Sequence, residues 1–436
     1  MKLNMILCLL TASLVLGQSP EELLDKGNQF FDAGDYTNAI TQYEEVLKLD
    51  PTFAPAMFQL SHCYLRIGDM VKTKEYIDEA IEAEPKNEEY REEFDRINKI
   101  NTMMNDGNRN MRSGQFEDAY ISYELVLEKF PFFAEAAYSM GLAMMRQNDY
   151  DEAVKHFRKA LELNGQHENA RAAITNVAKM SFNDGNKCYK LRDLDCAVEK
   201  YMKVVSIDPG FYQAYYQIGV IAAKQGNYDE AIRNYRAALE QNPEFYKGWF
   251  AVALVQKRQG KTDEAMKSLQ RVVDIHPGYA KAYGTMGEIY YDQKKYDEAA
   301  SVLQTATQVD PTYDKGYLKL GMVYIELGQY ENAVQSLEMT TSLNPKKHQA
   351  WFLLAQSYNE VGECEKAKNA AMEATDLKRN FGGAWYEMAR AEWCDGQGNK
   401  TAALNHLEKA RKDRSWRRNA EYLMDKIKNP QKYQDN

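Results

Sequence analysis

Apolar and small residues return along this chain with a period of 34. The segments AKAYGTMGEIYYDQKKYDEAASVLQTATQVDPTY (280–313) and DKGYLKLGMVYIELGQYENAVQSLEMTTSLNPKK (314–347) follow each other without a gap. Both place an aromatic at position 4 (Tyr283, Tyr317) and an apolar residue plus Gly at 7 and 8 (Met286-Gly287, Leu320-Gly321). Tyr290 and Tyr324 hold position 11, Ala299 and Ala333 position 20, and Pro311 and Pro345 position 32. The spacing predicts two antiparallel helices per period. Small residues at 8 and 20 let the helices approach closely, while positions 4, 7, 11 and 24 fill the space around the contact. Proline at 32 ends the second helix, because it lacks an N–H and disfavours helical backbone in the residue before it. One such pair cannot bury its own apolar face, so neighbours must stack.

Carried along the chain, the register gives repeats at 20–53 and 54–87, then 100–133 and 134–167, then seven in succession over 178–417. Two insertions, 88–99 and 168–177, contain neither Gly nor Pro and carry apolar residues at helical spacing (Tyr90, Phe94, Ile97; Ala170, Ala173, Ile174, Val177). Each is expected to add about three turns to the following first helix. They divide the array into an N-terminal section, 18–177, and a continuous one, 178–417. The segment 418–436 is expected to form a capping helix, with Tyr422, Leu423 and Ile427 on one face, and a tail. The period, together with Trp249 and Trp351 at position 4, resembles the tetratricopeptide repeat (TPR), whose signature is W-x2-L-G-x2-Y…A…P. The resemblance implies an all-α TPR solenoid of about eleven repeats plus a C-terminal capping helix. It further implies a right-handed superhelix with a long concave groove that holds other molecules.

Composition changes this picture little. The chain is 44% hydrophobic and 27% charged, with 30 Tyr, as suits a folded helical protein. A formal charge of −9 argues against a general nucleic-acid binder. The N-terminus matters more. Lys2 followed by an apolar run from Met5 to Leu16, with Val15-Leu16-Gly17 before Gln18, reads as a secretory signal peptide at 1–17. No other stretch approaches the ~20 apolar residues of a membrane span. The expected mature protein is therefore soluble and extracytoplasmic: periplasmic most simply, otherwise secreted or in the ER lumen. Of the later cysteines, Cys188 and Cys196 occupy positions 11 and 19 of one repeat. A disulfide there is open, with buried free thiols the favoured expectation for that pair, and the state of Cys364 and Cys394 is left open.

Candidate chemistry points to binding. The six histidines are scattered, and neither a H-E-x-x-H, P-loop, G-x-G-x-x-G nor G-x-S-x-G motif occurs. No enzyme, cofactor or metal site is expected. The Asp-Glu-Ala triplets at 151, 229, 263 and 297 open second helices, where acids complement the helix N-terminus. In the TPR family, positions 2, 5, 9, 12 and 13 of the first helix line the groove. Carried over here, position 5 gives a ladder that includes Phe58, Tyr138, Phe182, Tyr216 and Phe250. Position 13 reads Arg66, Arg112, Arg146, Lys190, Lys224 and Arg258, then Asp292, Glu326 and Glu360, while Lys247 adds a cation at position 2. Two readings stand. Cations near helix ends gain ~0.3–1 kcal/mol each from the dipole. Alternatively, the stripe and the ladder form a groove for extended, acidic, apolar segments of other proteins. The two-carboxylate clamp of some TPR co-chaperones is matched only loosely, by Asn186, Gln217 and Lys247. Phe182 and Ala251 stand where that clamp needs Lys and Arg, and without those cations a buried carboxylate is not offset. The expected role is a non-catalytic scaffold. A holdase for unfolded exported chains (although no His-Pro-Asp motif follows the repeats) and a glycan or cell-wall binder are the alternatives. Self-association stays open.

Overall fold

The computed structural model describes residues 19–396 and 398–433, so the expected signal peptide lies outside the described residues. These residues form 23 α-helices and two short 3-10 turns, with no strand among them. Twenty-two helices pair into helix–turn–helix repeats, and the last, Arg417–Lys428, closes the array.

The turns within repeats share one construction. Position 15 adopts a left-handed backbone, as Gly in seven repeats (φ 69 to 85°) and as Asn148, Arg192 and Lys294 in three. A Cβ costs about 1 kcal/mol in that region, which is why glycine dominates. The next residue caps the second helix: Asp35, Asp69, Asp149 and Asp193 each accept from the backbone N–H three residues on. Across each pair, position 8 lies against position 24. A Cβ built on Gly27, Gly107 or Gly185 would sit 2.4 to 2.7 Å from the rings of Tyr43, Tyr123 and Tyr201. Those rings are fully buried, and their hydroxyls donate to Asn28, Asn108 and Asn186 at 2.7 to 2.8 Å. Burial pushes the Tyr123 and Tyr201 hydroxyls up to about 12.

The chain divides into two compact units, up to Phe211 and from Tyr212. In the first, the opening helices of repeats three and five run 25 and 23 residues (Glu88–Arg112 and Glu168–Lys190). Their added turns bury Tyr90 and Ile97, and Ala170, Ala173 and Val177. This unit coils tightly enough for the loop after repeat four to reach the turn of repeat one. Thr37 donates to Gln166 (3.1 Å), Gln166 donates to Asp35 (3.2 Å), and Asn164 donates to the Arg66 carbonyl (3.4 Å). A Cβ on Gly68 would lie 3.0 Å from Glu135.

The second unit holds repeats six to eleven and the cap, each repeat stacked on the next. The buried stripe of the cap is Ala420, Met424 and Ile427. Tyr422, expected on that face, stays 56% exposed and meets the Tyr433 ring at 5.6 Å. The i, i+4, i+7 row of smaller residues fits the last repeat, so the helix turns that row inward.

The cysteines also depart from expectation. Cys188–Cys196 and Cys364–Cys394 are disulfides, with Cα atoms 5.8 Å apart in each, and only Cys63 is a buried free thiol among the described residues. The tight turn brings position 11 of one helix beside position 19 of the next, within bridging range. All four bridged cysteines are only partly buried.

Candidate partner-binding groove

In the second unit, the first helices of repeats six and seven (Tyr212–Gln225 and Tyr246–Arg258) flank a cavity of about 440 Å³. Its apolar lining includes Val220, Ala223, Ala251 and Leu254 together with the rings of Tyr216 and Phe250. Its lining includes three cations: Lys224 and Arg258 from position 13, and Lys247 from position 2. Leu254 is 38% exposed and the three cations are exposed. The site therefore has an apolar seat within reach of positive charge, and five residues singled out by repeat position meet there.

The position-5 ladder is a half-buried seam. Phe182 packs tilted against Tyr201 and Phe211, Tyr216 tilted against Tyr235 and edge-on to Phe245, and Phe250 edge-on to Tyr279, at centroid distances of 5.1 to 5.6 Å. The residues at position 34 (Phe211, Phe245, Tyr279) close over it. Their spacing is visible in the sequence, yet only the folded repeat shows that they cover position 5.

Past repeat seven the position-13 row turns acidic, and the structure engages part of it. Glu326 accepts from the Tyr291 hydroxyl at 3.3 Å, and burial and that carboxylate push Tyr291 up to about 12. Glu360 pairs with Arg390 at 2.9 Å, and Arg390 also holds Glu387 at 3.2 Å. Glu387 is almost fully buried and accepts from the Asn359 amide at 2.8 Å. Burial, aided by the Glu360 charge, lifts its carboxyl above the usual range, against the opposing pull of Arg390 and Asn359. Neither the depth of Glu387 nor its partners follows from repeat position alone.

The first unit treats the same positions differently. Phe58 is in the core, against His62 and Tyr90. The Arg66 guanidinium lies 4.4 Å from the Phe132 centroid and 5.9 Å from that of Phe31, so it clasps repeats one to three. Tyr138 meets Phe157 and His167. Arg112, Arg146 and Lys190 are exposed, and Asn186 is oriented by Tyr201. Among the described residues, no cluster of three or more His, Cys, Asp or Glu is placed to hold a metal, and no helix is long and apolar enough to cross a membrane.

Among curated proteins, the human DnaJ homolog subfamily C member 7 is 22% identical over 212 residues, covering 40% of this chain and 43% of that protein. The mitochondrial import receptor subunit TOM70 of Saccharomyces cerevisiae is 43% identical over 65 residues, 14% of this chain and 10% of that one. The chain thus spans less than half the length of these relatives. Among solved structures, the MamA protein is 25% identical with a TM-score of 0.35, over 39% of this chain and 92% of that one. Tetratricopeptide-repeat models match residues 30–92, 134–167, 216–280, 256–320, 290–357 and 348–381, together more than half of the chain. With its helix pairs, left-handed turns and glycine-on-ring contacts recurring in step, the chain belongs to the tetratricopeptide-repeat family.

Proposed function

We propose that the chain is a non-catalytic interaction scaffold, and that the groove of its second unit holds an extended partner segment with an apolar side chain flanked by carboxylates. The observation that carries this reading is the meeting of Lys224, Lys247 and Arg258 around the apolar seat between repeats six and seven. An apolar anchor supplies affinity by burial, at about 25 cal/mol per Å². The cations supply selectivity and encounter rate. The setting is extracytoplasmic: the apolar leader at 1–17 and two disulfides both fit export to an oxidising compartment. The holdase and glycan readings are weaker, because both need a row of open aromatic faces, and packing against position 34 leaves Phe182, Tyr216 and Phe250 half-buried.

The test is fluorescence anisotropy with nine-residue peptides carrying a central Leu flanked by either Asp and Glu or Lys and Arg. The acidic-flanked peptide should bind, and Lys224→Glu with Arg258→Glu should weaken it at least tenfold with helicity unchanged. Equal binding of the basic-flanked peptide, or an unaffected variant, overturns the reading.

A further inference from the structure

The second unit carries another charged surface, away from the groove positions. Successive repeats in a solenoid place equivalent loops along one edge, and the loops joining each second helix to the next first helix change character abruptly along it. After repeats six, seven and eight the loops read NPEF (242–245), HPGY (276–279) and DPTY (310–313), with no Lys or Arg, and the helices that follow open with one lysine each (Lys247, Lys281, Lys315). After repeat nine the loop contributes Lys346 and Lys347, and after repeat ten Lys378 and Arg379. After repeat eleven the loop contributes Arg411, Lys412 and Arg414, and the first turn of the closing helix adds Arg417 and Arg418. The one acid within these three loops, Asp413, is occupied: it accepts from the backbone N–H of Gly382 (3.0 Å) and of Ser415 (2.9 Å).

The three loops are held together from beneath. Phe381, in the second, packs on His348 and Phe352 at 5.4 and 5.0 Å. Trp416, in the third, packs on the same Phe352 at 5.7 Å and on Tyr386 at 5.2 Å. The aromatics thus face inward as staples, and the cations stand outside them. All except the partly buried Lys347 are exposed. The helix dipole favours a cation in a last turn, which accounts for one or two of these residues. Five cations in eight residues around Trp416 exceed it.

We infer that this edge is a docking surface for a short acidic polypeptide segment, distinct from the groove. Arginine, five of the nine cations, engages carboxylates in bidentate fashion. The size of the partner follows from charge balance. Nine cations, with Asp413 and the Glu408 that pairs with Arg411 at 2.7 Å, give the patch +7 in a chain of formal charge −9, so the rest of the chain carries −16. A long polyanion or an anionic bilayer would extend beyond the patch onto that repelling surface, whereas a segment spanning three loops would not. With Phe381 and Trp416 turned inward, the edge also presents no aromatic to insert into lipid.

The experiment uses the chain from Gln18 and a labelled eight-residue poly-glutamate as probe, which has no apolar anchor for the groove. A 20-base-pair DNA duplex and phosphatidylserine–phosphatidylcholine vesicles serve as competing probes. Poly-glutamate should bind and weaken steeply as salt rises, since exposed charges act through a screening length of about 10 Å at 0.1 M. Arg379→Glu, Arg414→Glu and Arg418→Glu together should cost at least tenfold, and the milder glutamine triple variant several-fold. Lys224→Glu with Arg258→Glu should change it less than twofold. Tighter binding of DNA or vesicles at matched salt overturns the assignment, as does a loss in the groove variant equal to that in the edge variant. Because the groove reading is tested with the apolar-centred peptide, either can fail while the other stands.

Discussion

The two units use one repeat grammar to opposite ends. In the first, long opening helices bring repeats one and four into hydrogen-bond contact, and Arg66, a position-13 cation, lies over Phe132 as a clasp. In the second, helices of ordinary length stack neighbour on neighbour, and the equivalent cations Lys224 and Arg258 stand beside a cavity. The lesson is that a groove position is a place in a repeat, and what it does depends on how far the helices bring distant repeats inward. Where repeats are drawn together a groove position is spent on packing, as at Arg66, while Arg112 and Lys190 on the lengthened helices themselves stay exposed.

The sharpest way to break this comparison is to injure both units identically. Gly107→Ala and Gly219→Ala each drive a Cβ against a buried ring, 2.4 Å from Tyr123 and 2.6 Å from Tyr235. Each should cost about 1–3 kcal/mol by urea denaturation. The spread should differ. Hydrogen exchange should rise across repeats one to four for Gly107→Ala, but only in adjacent repeats for Gly219→Ala. Equal spread would mean that the closure of the first unit does not couple its repeats.

Next in size is charge reversal. Arg66→Glu should destabilise the first unit by about 1–2 kcal/mol through loss of its cation–π contacts, without changing peptide binding. Arg258→Glu should do the reverse: a loss of ~1.4 kcal/mol in peptide affinity, a factor of ten, with urea stability unchanged. Comparable binding losses would erase the distinction between the units. Smaller again, Gln166→Ala should remove two tethers and cost about 1 kcal/mol in the first unit alone.

The smallest effect tests the second unit through pH. Folding raises the Glu387 pKa, so the stability tied to its protonated form is fully present below the unfolded value near 4.5 and is lost as pH rises through the folded value. Glu387→Gln should therefore gain on wild type, by under ~1 kcal/mol, as pH rises from 4 to 8 in thermal melts. A gap independent of pH would show that Arg390 and Asn359 fully offset the burial.

Much of this was legible in residues. Gly107 and Gly185 declare close helix contacts, and Pro311 and Pro345 mark where second helices end. The convergence of Tyr216, Lys224, Lys247, Phe250 and Arg258 follows from counting positions within a repeat. Other features were not legible. Cys188 and Cys196 read as buried thiols because position 11 usually faces the helix contact, but the turn leaves them half-exposed and bridged. Tyr422 read as core because it is large and apolar, but the smaller row beside it fits better. Arg66 read as a groove cation because its position is the same as that of Arg258.

Residue order encodes the local unit: helix, turn, helix and the stacking surface. Those depend on spacings of 3.6 and 34 residues and on backbone preferences that act within one repeat. Which copies of a position are spent on packing and which face a cavity emerges only when the repeats stack. That outcome depends on small rotations accumulated from repeat to repeat, and on added helical turns such as those bearing Tyr90 and Val177. Contacts such as Thr37 with Gln166 join residues 129 apart in the chain, and no local pattern encodes them.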